Sequence, residues 1–152
     1  MNDVYANVAT LTLFALDEAV SSGDGAILLD LSQYNGNAQV VLTALEDASI
    51  AASKKLDVTV HTVASDSETT DSDNQIAAFT QLLGENDAGA VQKTVQTISM
   101  NLNESPKLAS GETKVRKHLY QVKVVNTSTW AGSILVQVLV GGHRVAPVNA
   151  LV

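Results

Sequence analysis

Alternation of apolar and polar side chains, the two-residue period of a half-buried strand, recurs along most of this chain. Over residues 55–64 (KLDVTVHTVA), Leu56, Val58 and Val60 point one way and Asp57, Thr59 and His61 the other, which predicts a strand with one buried and one wet face. Residues 94–102 set Ile98, Met100 and Leu102 against Thr97, Ser99 and Asn101 in the same manner. Residues 8–16 place Leu11, Leu13 and Ala15 opposite Thr10, Thr12 and Phe14; a strand is the reading, with a short helix running into Asp17 as its alternative. The most strand-like runs are 117–126 (KHLYQVKVVN) and 133–142 (SILVQVLVGG), separated by the polar stretch 127–132. Two such runs around a short polar connection predict an antiparallel hairpin. Residues 26–31 and 39–45 predict a second hairpin around Tyr34-Asn35-Gly36-Asn37, because Asn and Gly both tolerate positive φ.

Turn signals punctuate these runs at 21–25 (SSGDG), 84–89 and 103–111, and Pro147 closes regular structure. Residues 46–54 (EDASIAASK) are the most helix-like stretch, but Ile50 and Ala51 give it little apolar face, so a loop stands beside a helix there. Residues 75–83 fit either a strand or a short helix. Residues 65–74 (SDSETTDSDN) hold four acids and no apolar residue, the composition of a long solvated loop. The total is seven or eight short strands without the long amphipathic helices that parallel βαβ units require. The fold class is therefore all-β: an antiparallel β-sandwich, jelly-roll-like, with at most a short helix and an N-terminal arm. Residues 1–20 form that arm or a first strand, and residues 21–152 form one sandwich domain.

Composition adjusts this picture in two ways. Aromatic residues make up only 4% of the 152, so Ala, Val, Leu and Thr must fill the core. A core of small side chains is thin, which leaves stability to be gained from partner subunits. The formal charge of −7 argues against nucleic-acid binding, which needs a basic face. The absence of cysteine excludes a disulfide scaffold and a thiolate metal site. Met1-Asn2-Asp3-Val4 has no basic stretch ahead of an apolar run, so no signal peptide is expected, and no run approaches the roughly 18 apolar residues of a membrane span.

Candidate chemistry is sparse. Asp66, Glu68, Asp71 and Asp73 offer oxygen ligands for Ca²⁺, but their spacing is not that of an EF-hand loop and the turn glycine is missing, so a solvated loop is the better reading. His61, His118 and His143 are too scattered to predict a metal site, and neither a metal nor a cofactor is expected. There is no G-x-S-x-G elbow, and Gly23-Asp24-Gly25 lacks the third glycine of a phosphate cradle. No nucleophile–base pair is evident, so the chain is not expected to be an enzyme. Lys114, Arg116, Lys117 and Lys123 concentrate positive charge in an acidic chain, either as a docking patch or as an ordinary solvated strand start. Trp130, the sole tryptophan, falls at the tip of the predicted hairpin. There it either meets a partner surface or a sugar ring, or folds back to cap the end of the sandwich.

The closing pattern is a strand, a short Ser/Thr turn, an apolar strand, Gly141-Gly142, Arg144 and Pro147. Ahead of it come an Asp/Glu/Ser/Thr loop and the Ile98-Ser99-Met100-Asn101-Leu102 strand. Over about residues 26–147 this layout resembles small virion proteins of tailed bacteriophages, above all capsid decoration (cement) proteins. The resemblance is one of pattern, and Arg116-Lys117 sits where that group often carries a basic residue. It implies a non-enzymatic virion protein, made in the host cytoplasm, that binds the outside of the capsid and stabilises it. Its partners would be the major capsid protein and further copies of itself, as dimer or trimer. Contact residues would be Val4, Tyr5, Leu11, Leu13 and Phe14 on an arm spanning residues 2–16, together with Arg116, Lys117 and Trp130. Deleting that arm is expected to leave a folded domain that no longer decorates or oligomerises. A tail or head–tail adaptor protein is the alternative within the same class. A carbohydrate-binding sandwich using Trp130 with Tyr120 or Tyr34 is the alternative outside it.

Overall fold

Strands form where the two-residue period is strongest. The computed structural model describes residues 8–16, 20–34, 36–47, 50–63, 70, 74–84, 92–102 and 118–141. In chain order the strands are β1 (Val8–Phe14), β2 (Gly23–Asp24), β3 (Leu29–Asp30), β4 (Asn37–Glu46), β5 (Lys55–Val63), β6 (Gln75–Ala78), β7 (Leu82–Leu83), β8 (Gln92–Asn101), β9 (Leu119–Val125) and β10 (Gly132–Gly141). There is no α-helix among the described residues. The helix weighed over residues 46–54 is absent where the chain is described: Glu46 ends β4, and residues 50–54 lead directly into β5. One buried apolar residue there, Ile50, is too little to hold a helix against a sheet.

Two antiparallel sheets result. The first runs β1-β10-β4-β8; in the second, β9 and β5 are central, with β2 and β3 along the outer side of β9 and β6 and β7 along the outer side of β5. β2 and β3 occupy successive stretches of one edge, as do β6 and β7, so each pair acts as one interrupted strand. Eight strands then pair as β1 with β10, β2–β3 with β9, β4 with β8, and β5 with β6–β7. This is the double Greek key of a jelly roll. The ambiguous run 75–83 is the β6–β7 strand, interrupted where Phe79 turns into the core while its N–H still reaches the Val58 carbonyl at 3.0 Å.

The core lies between the sheets. Ala38, Val40, Leu42 and Ala44 of β4 align with Val140, Val138, Val136 and Ile134 of β10, and all eight are buried. Facing them, Val58, Val60 and Thr62 of β5 pair with Val124, Val122 and Tyr120 of β9, and Leu56 is buried at the start of β5. Short β-branched side chains suit this geometry, because they are stiff and pack well on a pleated surface. In β1 the alternation breaks. A register shift between Thr12 and Phe14 turns both Leu13 and Phe14 inward, so Phe14 does not share the polar face of Thr10 and Thr12. A bulge of this kind bends an edge strand around the core.

Neither predicted hairpin forms. β9 belongs to the second sheet and β10 to the first, so residues 126–131 are a corner between layers. Asn126 builds that corner: its Oδ1 accepts the Trp130 N–H at 2.8 Å, and its Nδ2 donates to the carbonyls of Trp130 and Val20 at 2.9 and 3.0 Å. Thr129 takes φ 57°, uncommon for a β-branched residue. The bend closes over the Trp130 ring, where a side chain at Gly132 would overlap the Leu45 carbonyl and the indole. At Gly36 the φ of 82° expected of the Asn-Gly turn is present, but β3 pairs with β9 while β4 pairs with β8 and β10, so this turn too changes sheets. Packing of sheet on sheet gave each strand more apolar surface to bury than a local hairpin offers.

Candidate interaction surfaces

The two outer faces of the sandwich differ. On the second sheet, alternation turns Thr59, His61 and Val63 of β5 outward, and the wet face expected there is only partly wet. His61 is 2% exposed and Val63 is fully buried. The chain covers them itself. Thr70, also buried, bonds through its hydroxyl to the Asp24 carboxylate, and Lys123 Nζ donates to the Thr70 carbonyl at 2.7 Å. Gln121 Nε2 donates to the Gly25 carbonyl at 2.7 Å, and His61 Nε2 lies 2.8 Å from the Thr59 hydroxyl. The solvated loop predicted for residues 65–74 is thus tied down at Thr70 and Asn74, both buried. Asp66, Glu68, Asp71 and Asp73 lie outside the described residues.

A groove of about 380 Å³ opens between β8 of the first sheet and the β6–β7 edge of the second. Glu46 and Trp130 line it, with Thr94, Gln96, Gln81 and Leu83. Gln96 joins the sheets across its wall, accepting the Thr80 N–H at 2.8 Å and donating to the Thr80 carbonyl at 3.0 Å. One glutamine amide thereby does the work of a strand residue and closes the edge of the sandwich. Glu46 brings a buried carboxylate, and the buried Trp130 Nε1 has no acceptor among the described residues. No group of three or more histidine, cysteine or acidic residues among the described residues is arranged to hold a metal.

The first sheet keeps its outer face uncovered by its own strands. Alternation places Val95, Thr97 and Ser99 of β8 there, all exposed, beside Gln39, Val41 and Thr43 of β4. At one end, Asn37, Gln39, Ser99 and Leu139 line a concavity of about 370 Å³.

The residues singled out in the sequence scatter. Leu13 and Phe14 belong to this chain's own core, and Leu11 packs against it. Trp130 is 3% exposed and caps the end of the sandwich, so it is not a presented hairpin tip. Tyr120 is fully buried, and Tyr34 is half-buried against the core. Val4, Tyr5, Arg116 and Lys117 lie outside the described residues, as do Lys114 and His143. His118 is exposed and adds its charge to the environment of Asp30. The Ser32 N–H donates to Asp30 Oδ1 at 2.8 Å, and this bond first, then the Ser32 side chain and His118, holds the Asp30 carboxyl below the usual carboxylate range. Sequence reasoning missed Asn126 and Gln96, whose roles depend on contacts across sheets. No protein-family model and no curated protein matches the chain.

Proposed function

We propose that this chain is a non-enzymatic structural protein of a phage virion, of the capsid decoration type, which binds the outside of the shell and stabilises it. The observation that carries the reading is the topology: an eight-stranded double Greek key is an architecture used by viral capsid and lectin domains. The lectin branch usually uses exposed aromatic rings, and Trp130 and Tyr120 are buried. The virion branch needs a rigid sandwich, and the two packed sheets with their shared core supply one. Its partners are then the major capsid protein and further copies of itself.

Stabilisation in this role is a linkage effect. A protein that binds the assembled shell and not the dissociated subunits shifts the equilibrium toward the shell, and many linked copies add avidity. Immunogold labelling of particles from a lysate of the source, with antibody against this chain, is the test. Dense, even label over the heads is the expected result. Label confined to the tail or one vertex would assign the chain to the adaptor or tail proteins, and no label on particles would overturn the virion reading.

A further inference from the structure

We propose that the outer face of the first sheet is a self-association surface on which a second copy of this chain docks face to face. The inference deepens the self-partner in the reading above, yet stands on the chemistry of the sheet and needs no capsid.

Register sets the character of this face. One rung across the sheet reads Thr12, Gln137, Val41, Thr97, and the next reads Leu135, Thr43, Val95. Each apolar side chain is flanked along its rung by Thr or Gln, and Val95, 56% exposed, stands at the β8 end. Lys93 is the sole charged side chain on this face among the described residues. The strands of the second sheet, by contrast, carry Asp24, Asp30, Lys55, Asp57 and Lys123. In a chain of net charge −7 this contrast selects the occupant. Among the described residues of the face, a basic partner finds no carboxylate and a nucleic acid finds one lysine. A second copy is repelled least where neither surface carries acid.

Size agrees. The ten-residue strands β4, β8 and β10 are roughly 33 Å long and the seven-residue β1 about 23 Å; at about 4.8 Å per strand they give on the order of 600 Å² of flat face. Relief from the side chains brings this near the roughly 800 Å² per partner of a stable interface. Two such faces stack about 10 Å apart, as sheets do within a sandwich. A two-fold axis makes the contact isologous and closed, so association stops at the dimer along this face.

Sedimentation velocity on the full chain, at concentrations up to about 100 μM, tests this directly. The expected result is a concentration-dependent dimer. Val95→Glu and Val41→Glu should each weaken it by about tenfold or more, because a two-fold contact introduces every new charge twice. Far-UV circular dichroism and thermal melts check that both variants fold, as outward positions leave the core intact. Lys55→Glu, exposed on the other sheet, should leave the dimer unchanged. A wild-type chain that stays monomeric at the highest concentration would overturn the inference, and so would a dimer that survives both charges in folded protein. Immunogold separates the two proposals. A dimer sensitive to Val95→Glu with no head label sinks decoration alone, and head label with a monomeric chain sinks self-docking alone.

Discussion

At the scale of single residues, the corner between the sheets depends on one side chain. Asn126 makes three side-chain hydrogen bonds there, and its own N–H is bonded to Ser22 Oγ at 2.8 Å. Asn126→Ala would leave the Trp130 N–H and two carbonyls short of partners while keeping the strand ends. A loss of about 2 kcal/mol is expected, from a net worth of about 1 kcal/mol per bond with partial replacement by water. Urea unfolding of the variant measures it; a change below about 0.5 kcal/mol would show that Trp130 packing alone holds the corner. Asp30 gives a pH signature. Its carboxyl is held down chiefly by the Ser32 N–H, so its ionised form stabilises the fold above the unfolded-state value, and that stability is lost as pH falls through the folded-state value. Asp30→Asn keeps the acceptor and removes the charge. The stability difference between wild type and Asp30→Asn should hold from neutral pH to about pH 4 and vanish below it. A difference that persists at lower pH would mean the amide disturbs the turn itself. Neither residue announces itself in the sequence, since Asn and Asp at strand ends are common and their partners lie across a turn or in another strand.

At the scale of elements, alternation was legible and pairing was not. β4, β5, β8 and β10 fall where the two-residue period puts them, because their inward residues meet a core whichever strand lies beside them. The connections misled because a short polar stretch with Gly joins neighbours in one sheet or crosses between two, and only the packing partner decides which. The stretch 127–132 looks like a hairpin loop until Trp130 is seen to need the interior. The same reasoning revises the arm. β1 pairs with β10 from Val8 to Phe14 and contributes Leu13 and Phe14 to the core, so residues 8–14 are part of the fold. Removing residues 2–16 should unfold the chain or expose dye-binding surface, since it strips an edge strand and two buried large side chains. A cooperative melt after that deletion would mean that β10 tolerates becoming an edge.

At the scale of the whole molecule, the jelly roll makes the two sheets one cooperative unit. β1 pairs with β10, so the described chain closes on itself from its first strand to its last, and every connection but those within the β5–β6–β7 run and the β2–β3 edge carries the chain between layers. Neither sheet has a buried face without the other: Val40 and Leu42 of β4 need Val58 and Val122 opposite them. Unfolding should therefore be two-state. Trp130 is a clean reporter, because it is the sole tryptophan and sits at the corner joining β9 to β10. Its fluorescence and the far-UV circular dichroism of the strands should give coincident urea transitions. The pairings are also remote in sequence, and closure entropy must be overcome before they form, so refolding should take milliseconds to seconds with tryptophan burial in the main phase. A separate, earlier fluorescence transition would show the corner opening before the sheets part. That outcome would mean that the Asn126 bonds and the Gln96–Thr80 bridge hold units that can come apart independently. Coincident transitions would mean that the shared core dominates, as its continuity across both sheets predicts.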